Sequence, residues 1–260
     1  MNLSRSASAI GLYAYRQNDP GASLYARFYS LVIDQLTRLG VEPTYIGVDG
    51  EGYSEKLVEF GGREHKKVLN ANFEDITGLS VVANPLGSNA PAFDSYFYST
   101  VSFIESMRQL DLCFTINESF LPFGTEAFDE ALRELVELHP WDFGIGFCDA
   151  VDRDPELHIL GASNGKLSKE EDAALNAWYS SPADVRLQRL RSIYPYNFVN
   201  EHQLAQEVQN GMSLKRLIRE LPVGTLESLG QNGMYLWKVP DESERTSLRA
   251  QLAERSLLIS

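Results

Sequence analysis

The sequence predicts an α+β fold: mixed, largely antiparallel sheet(s) with flanking helices. Three observations carry this. The chain opens with a strand, a long amphipathic helix and a second strand. Two β-rich runs, Tyr96–Ile104 and Leu112–Ile116, lie close together, as antiparallel partners do. Near the C-terminus, Thr225–Leu229 and Met234–Val239 flank Gly230-Gln231-Asn232-Gly233, a strong hairpin signal. The order of elements is irregular rather than βαβα, which separates α+β from α/β.

Ile10, Leu12 and Tyr13–Tyr15 read as the first strand. Asp19-Pro20-Gly21 reads as a helix start with Asp19 as N-cap, since Pro is favoured in the first turn. Leu24, Phe28, Leu31, Val32, Gln35, Leu36 and Leu39 recur at helical spacing, and Gly40 closes the helix, as glycine does at C-caps. Tyr45–Val48 is a second strand and Asp49-Gly50 a turn. A short helix is expected near Ser54–Phe60, and Leu79–Ala83 reads as a buried strand. The aromatics Phe93, Tyr96, Phe97, Tyr98 and Phe103 read as core and sheet face, with a binding platform as the alternative.

Thr125 precedes Phe128, Leu132, Leu135 and Leu138 on one helix face, and Pro140 stops that helix. Trp141, Phe143, Ile145 and Phe147 then alternate with Asp142, Gly144 and Gly146. That period of two predicts a half-buried strand, whose glycine-lined side admits close packing. Asp149–Glu156 reads as a polar loop. Ser168-Lys169-Glu170-Glu171 is a capping box, with Ser and Glu placed to satisfy each other's backbone N–H. A short helix is expected over Pro182–Leu190, Ser213 caps Leu214, Leu217, Ile218 and Leu221, and Asp241 caps a final helix carrying Leu248 and Leu252. Leu257–Ile259 reads as a last short strand. The domain reading is a single domain over 1–260, or two packed subdomains with a soft boundary near 162–166, where Asn164-Gly165 interrupts the pattern.

The chain has 260 residues, long enough for a substantial core, with 36 acidic residues against 23 Lys and Arg and a formal charge of −13. The excess is uneven. Between Thr125 and Glu156 lie ten acids: Glu126, Asp129, Glu130, Glu134, Glu137, Asp142, Asp149, Asp152, Asp154 and Glu156. Only Arg133 and Arg153 oppose them within that stretch. Such a field disfavours nucleic acid and anionic lipid and favours a basic protein partner. The candidate partner-binding residues are therefore Glu126, Glu130, Glu134, Glu137, Asp149, Asp152, Asp154 and Glu156. The plainer alternative is a solvated face.

No run approaches the ~20 apolar residues of a membrane span, and Met1–Arg5 lacks the apolar core of a signal peptide. A cytoplasmic protein without membrane contact is expected. Cys113 and Cys148 both lie in apolar runs and read as buried free thiols. The four histidines, His65, His139, His158 and His202, lack the spacing of a zinc pair. Asp149, Asp152, Asp154 and Glu156 lack the central glycine and spacing of a calcium loop. Gly161-x-Ser163 is not followed by the glycine of a nucleophile elbow. No cofactor, metal or catalytic residue is assigned, and no enzyme activity is expected. A small hydrolase or transferase with a site assembled from scattered acids, and an adaptor or scaffold, are the alternatives.

Four runs taken together resemble a known family: Trp141–Phe147, Gly161-x-Ser163, Tyr194-Pro195-x-Asn197-Phe198, and Gly224-Thr225-Leu226 with Leu236-Trp237-Lys238-Val239-Pro240. They resemble immunity proteins of bacterial polymorphic-toxin and type VI secretion systems, in particular immunity protein family fifty-two. The resemblance covers the chain from about Ile10 onward. It implies a non-enzymatic protein whose partner is a cognate toxin carrying a restriction-endonuclease-like nuclease domain. Its motifs are aromatic and glycine-based, so no active-site residue transfers with it.

Overall fold

Strand pairing follows the alternating runs. The computed structural model describes residues 4–84, 96–162, 165–209, 211–220, 223–230 and 233–259. Phe93, Ser163, Asn164, Leu221, Gln231 and Asn232, which figure in the expectations above, lie outside the described residues. The chain divides into two units, Met1–Pro140 with Cys148–Glu156, and Trp141–Phe147 with Leu157–Ser260. Residues 162–166 fall inside the second unit.

In the first unit the elements run β1 (Ser6–Ala14), α1 (Ala22–Leu39), β2 (Tyr45–Gly50), β3 (Leu57–Glu59), α2 (Arg63–Asn70), β4 (Ile76–Ala83), β5 (Phe97–Ile104), β6 (Gln109–Asn117) and α3 (Glu126–Glu137). The strands form an antiparallel sheet in the order β1-β6-β5-β4-β2-β3. Register places Leu12, Leu112, Val101, Leu79 and Val48 in one row across it, and all five are fully buried. A one-residue slip in any strand would turn that row over, so burial fixes the register. The opposite face carries small and polar side chains, Gly11, Cys113, Thr100, Ser80 and Gly47, with a Ser80–Thr100 hydrogen bond of 2.8 Å. α1 packs on β4 and β5 through Leu24, Tyr25, Phe28, Val32 and Leu36, the stripe that its spacing predicts.

Two local expectations are corrected here. α1 starts from Gly21, not Asp19; the Asp19 carboxylate accepts the Gly21 N–H at 2.8 Å instead. The helix expected near Ser54–Phe60 is the edge strand β3, whose Leu57–Glu59 pair with Tyr45–Gly47. Gly61 and Gly62 then break the chain before α2 begins at Arg63, so strand pairing overrides a weak local helix preference.

In the second unit β7 (Phe143–Ala150) contributes its first five residues. α4 (Pro155–Leu160), α5 (Lys169–Ser180), α6 (Ala183–Gln188), β8 (Tyr196–Asn200), α7 (Glu201–Ala205), β9 (Glu207–Gln209), β10 (Met212–Ser213), α8 (Leu214–Glu220), β11 (Thr225–Ser228), β12 (Met234–Lys238) and α9 (Glu242–Glu254) follow. The sheet order is β11-β12-β8-β7, antiparallel throughout. β9 and β10 form a separate two-stranded ribbon. The hairpin β11–β12, the Ser168 capping box and the Asp241 cap match the sequence expectation. Leu257–Ile259 makes a single bridge, Leu190 to Leu258.

Trp141, Phe143, Ile145 and Phe147 are all buried, and Trp141 precedes the strand rather than starting it. The half-buried reading is corrected: Gly144 and Gly146 are buried too, each paired to β8, opposite Phe198 and Tyr196. Phe143 packs on Trp178 with ring centroids 4.8 Å apart. The chain is thus α+β, with antiparallel sheets and flanking helices in both units.

Candidate functional site

α3 positions half of the acidic residues. Thr125 caps it by accepting the Phe128 N–H at 3.3 Å. Phe128, Ala131, Leu132, Leu135 and Val136 form its buried face, which leaves Glu126, Glu130 and Glu137 exposed. Glu126 and Asp129 in the first turn suit the positive helix end.

Glu134 differs from its neighbours. Its carboxylate lies 2.5 Å from the Arg38 guanidinium and accepts a hydrogen bond from the Gln35 amide at 3.2 Å. Partial burial raises its pKa, but the Arg38 and Gln35 hydrogen bonds and the Arg38 charge outweigh this. The net result holds the carboxyl below its usual range. Arg38 also pairs with Asp34 one turn back, and Arg27 donates to the Leu138 carbonyl at 2.7 Å, a cation at the negative end of α3. The count of two basic residues within the stretch stands, and α1 brings two further cations, Arg27 and Arg38, to α3. The Asp34–Arg38 spacing of four on the α1 surface was the sequence signal for a charged seam.

The expected loop Asp149–Glu156 is replaced by structure. β7 runs on to Ala150, a 3-10 turn follows at Val151–Arg153, and Pro155 opens α4. The Val151 N–H donates to the Arg5 carbonyl at 2.8 Å, which pins the turn. Asp149 pairs with Arg153 at 3.2 Å and accepts the Ala150 N–H. Asp152 is exposed, Asp154 is half-buried in a left-handed conformation, and Glu156 is buried. Glu156 is corrected as a contact residue: its carboxylate acts inward and raises the pKa of the buried Cys113 thiol, after burial itself and before Asp111. Of the eight candidates, Glu126, Glu130, Glu137 and Asp152 face solvent.

Cys148 corrects the buried-thiol expectation, since it is exposed beyond Phe147, the last buried residue of its strand. Its pKa is pushed up to about 12 by local burial first, then by Glu118 and Asp149, so it is not an activated nucleophile. Among the described residues, no group of three or more His, Cys, Asp or Glu could hold a metal ion, and no helix is long and apolar enough to cross a membrane.

The motif residues in the second unit are structural. The Asn197 side chain is fully buried; it accepts the Tyr194 N–H at 2.8 Å and donates to the Tyr194 and Trp237 carbonyls. That clamp explains the Tyr-Pro-x-Asn spacing. Trp237 donates its indole N–H to the Val223 carbonyl. Gly224, at φ +87, lies so close that a Cβ would overlap the Lys238 carbonyl oxygen.

No known family model and no curated protein matches this sequence, so the likeness to immunity protein family fifty-two rests on the short runs quoted above. The fold is found in a solved structure, the Pseudomonas aeruginosa T6SS protein PA0821. That structure superposes at a TM-score of 0.63 with 12% identity, covering 98% of this chain and 73% of that one. At this identity the likeness is one of fold.

Proposed function

We propose that this chain is a cytoplasmic immunity protein. It binds and neutralises a cognate secreted toxin, a restriction-endonuclease-like nuclease effector, and so protects the producer and its sister cells in bacterial competition. The carrying observation is the solvent-facing set Glu126, Glu130, Glu137 and Asp152 on a chain of charge −13. A nuclease needs a basic cleft for phosphate, and an acidic surface steers association with such a cleft and competes with its substrate. Two further observations support the reading. The chain shares its fold with a protein described as belonging to a type VI secretion system, and the quoted motifs resemble those of TsiT, the immunity partner of the effector TseT. In this reading the protein has no enzymatic activity, no cofactor, and no nucleic-acid or membrane partner.

The test is to co-express the chain with the product of the toxin gene beside its own. Co-purification, inhibition of that product's nuclease activity and rescue of growth are expected. A stable toxin that neither binds nor is inhibited would overturn the assignment. Turnover of nucleic acid, peptide or ester by the purified chain would replace it with the hydrolase reading.

A further inference from the structure

The first unit holds a pocket at the C-terminal end of α1. It is lined by Gly40, Val41, Glu42, Thr44, Ala83, Asn84, Tyr96 and Phe120; Val41, Ala83 and Asn84 are buried, and Gly40 and Glu42 are exposed. The two rings are tilted at 46° with centroids 5.5 Å apart. Backbone bonds fix the chain at both residues: Tyr96 N–H to Ala83 O at 2.9 Å, Asn117 N–H to Tyr96 O at 2.9 Å, and Phe120 N–H to Asn117 O at 3.0 Å. The backbone of the site is therefore set before anything binds.

Its size and charge select the occupant. The pocket encloses about 250 Å³, below the ~300–1,000 Å³ of ordinary small-molecule sites and suited to one side chain. Aromatic faces attract cations. The lining is mostly apolar, but it includes the exposed acid Glu42, and α1 ends at Gly40 with the negative end of its dipole. An apolar side chain would use the rings and the apolar lining but gain nothing from these charges. A guanidinium uses all of them, because it stacks flat on an aromatic face and hydrogen-bonds a carboxylate.

We propose that this pocket receives a single arginine side chain projecting from a basic protein partner. The proposal rests on the immunity reading for the identity of that partner, and it adds a second contact outside the acidic residues of α3 and the 149–156 segment. The Tyr96–Phe120 pair would act as the anchor site that fixes register once charge has steered the encounter.

The experiment is an NMR titration of the methyl groups of Val41 and Ala83 with two blocked tripeptides, Gly-Arg-Gly and its neutral isostere Gly-citrulline-Gly. Saturable shifts with the arginine peptide are expected. Binding should weaken about fivefold or more with citrulline and in Glu42→Arg. Glu42 is exposed, so this variant keeps the fold, and Glu42→Gln serves as the milder second variant. Equal binding of both peptides, or no saturable shift with the arginine peptide, would overturn the proposal. The titration contains no toxin, so a failure of the toxin to bind at all counts against the immunity reading alone. A toxin that binds wild type and Glu42→Arg with the same dissociation rate would remove the pocket from the interface and sink the proposal.

Discussion

Arg38 Nη2 lies 2.5 Å from Glu134 Oε2, and this ion pair ties α3 to α1. The acid at the centre of the α3 cluster is thus committed within the first unit. Both side chains are partly exposed, so the pair contributes little: Glu134→Ala should lower the unfolding free energy by about 0.2–1 kcal/mol. Glu134→Lys should cost more, because it sets a second cation against Arg38. The folded-state pKa of Glu134 lies below its ordinary 4.5. Its contribution is therefore fully present above that value and lost as pH falls through the folded-state value. Urea unfolding of wild type and both variants between pH 7 and pH 3 measures this. Equal midpoints for Glu134→Ala and Glu134→Lys would dismiss the pair.

Charge reversal should spare Glu134 and target the four solvent-facing acids. Lys at Glu126, Glu130, Glu137 and Asp152 together should slow toxin association strongly at low salt and flatten its salt dependence. Folding should stay nearly intact, since exposed charges contribute little to it. Stopped-flow association at two ionic strengths separates the cases. An unchanged on-rate at low salt, with protection retained, would leave these four acids as solvated side chains.

Elements with strong local periodicity were legible from sequence. The α1 stripe, the Thr125 cap, the Ser168 capping box and the β11–β12 hairpin each follow from spacing within one contiguous stretch of chain. Elements made by distant partners were not. β3 is a strand because β2 lies beside it, and β8 becomes one by pairing with β7 and β12, although Pro195 hides its start. The candidate surface shows the same division. The charge excess was visible in sequence, but which acids face outward was not. Burial of Glu156 and the approach of Arg38 are tertiary facts.

His65 should make stability pH-dependent below 6.5, the ordinary value for the ring. Its ring is buried, Nδ1 accepts the Gly61 N–H at 2.8 Å, and Nε2 lies 2.9 Å from the Tyr29 hydroxyl. Burial first, then the Lys66 charge, lowers its pKa below the ordinary 6.5. The neutral ring is thus favoured in the folded state. Its contribution is complete above 6.5 and is lost as pH falls through the folded-state value. An NMR titration of the ring carbons should give a folded-state pKa below 6.5. A value at or above it would show that the Gly61 bond does not hold the ring neutral.

Trp141 is 4% exposed although it precedes its strand. Trp141→Ala should cost about 3–5 kcal/mol as a large-to-small core change, read as a lower denaturation midpoint with an unchanged m-value. Full tolerance of alanine would remove Trp141 from the core of the second unit.

Gly161 and Tyr179 should be energetically coupled. Gly161 has φ +79, and a Cβ built on it would overlap the Tyr179 ring. The ring is held there by its hydroxyl, which donates to the Ile159 carbonyl at 2.8 Å. Gly161→Ala therefore carries two penalties: about 1–2 kcal/mol for the left-handed backbone, and a further cost from displacing the ring. Tyr179→Phe loses only the hydrogen bond, about 0.5–1.5 kcal/mol. In Gly161→Ala/Tyr179→Ala the new methyl group meets no ring, so the second penalty of Gly161→Ala disappears. The double variant should be less destabilised than the sum of the two single alanine variants, which a double-mutant cycle by thermal or urea unfolding measures. Strict additivity would mean that the ring does not pack over Gly161, and the glycine of the Gly161-x-Ser163 run would then be required for its backbone conformation alone.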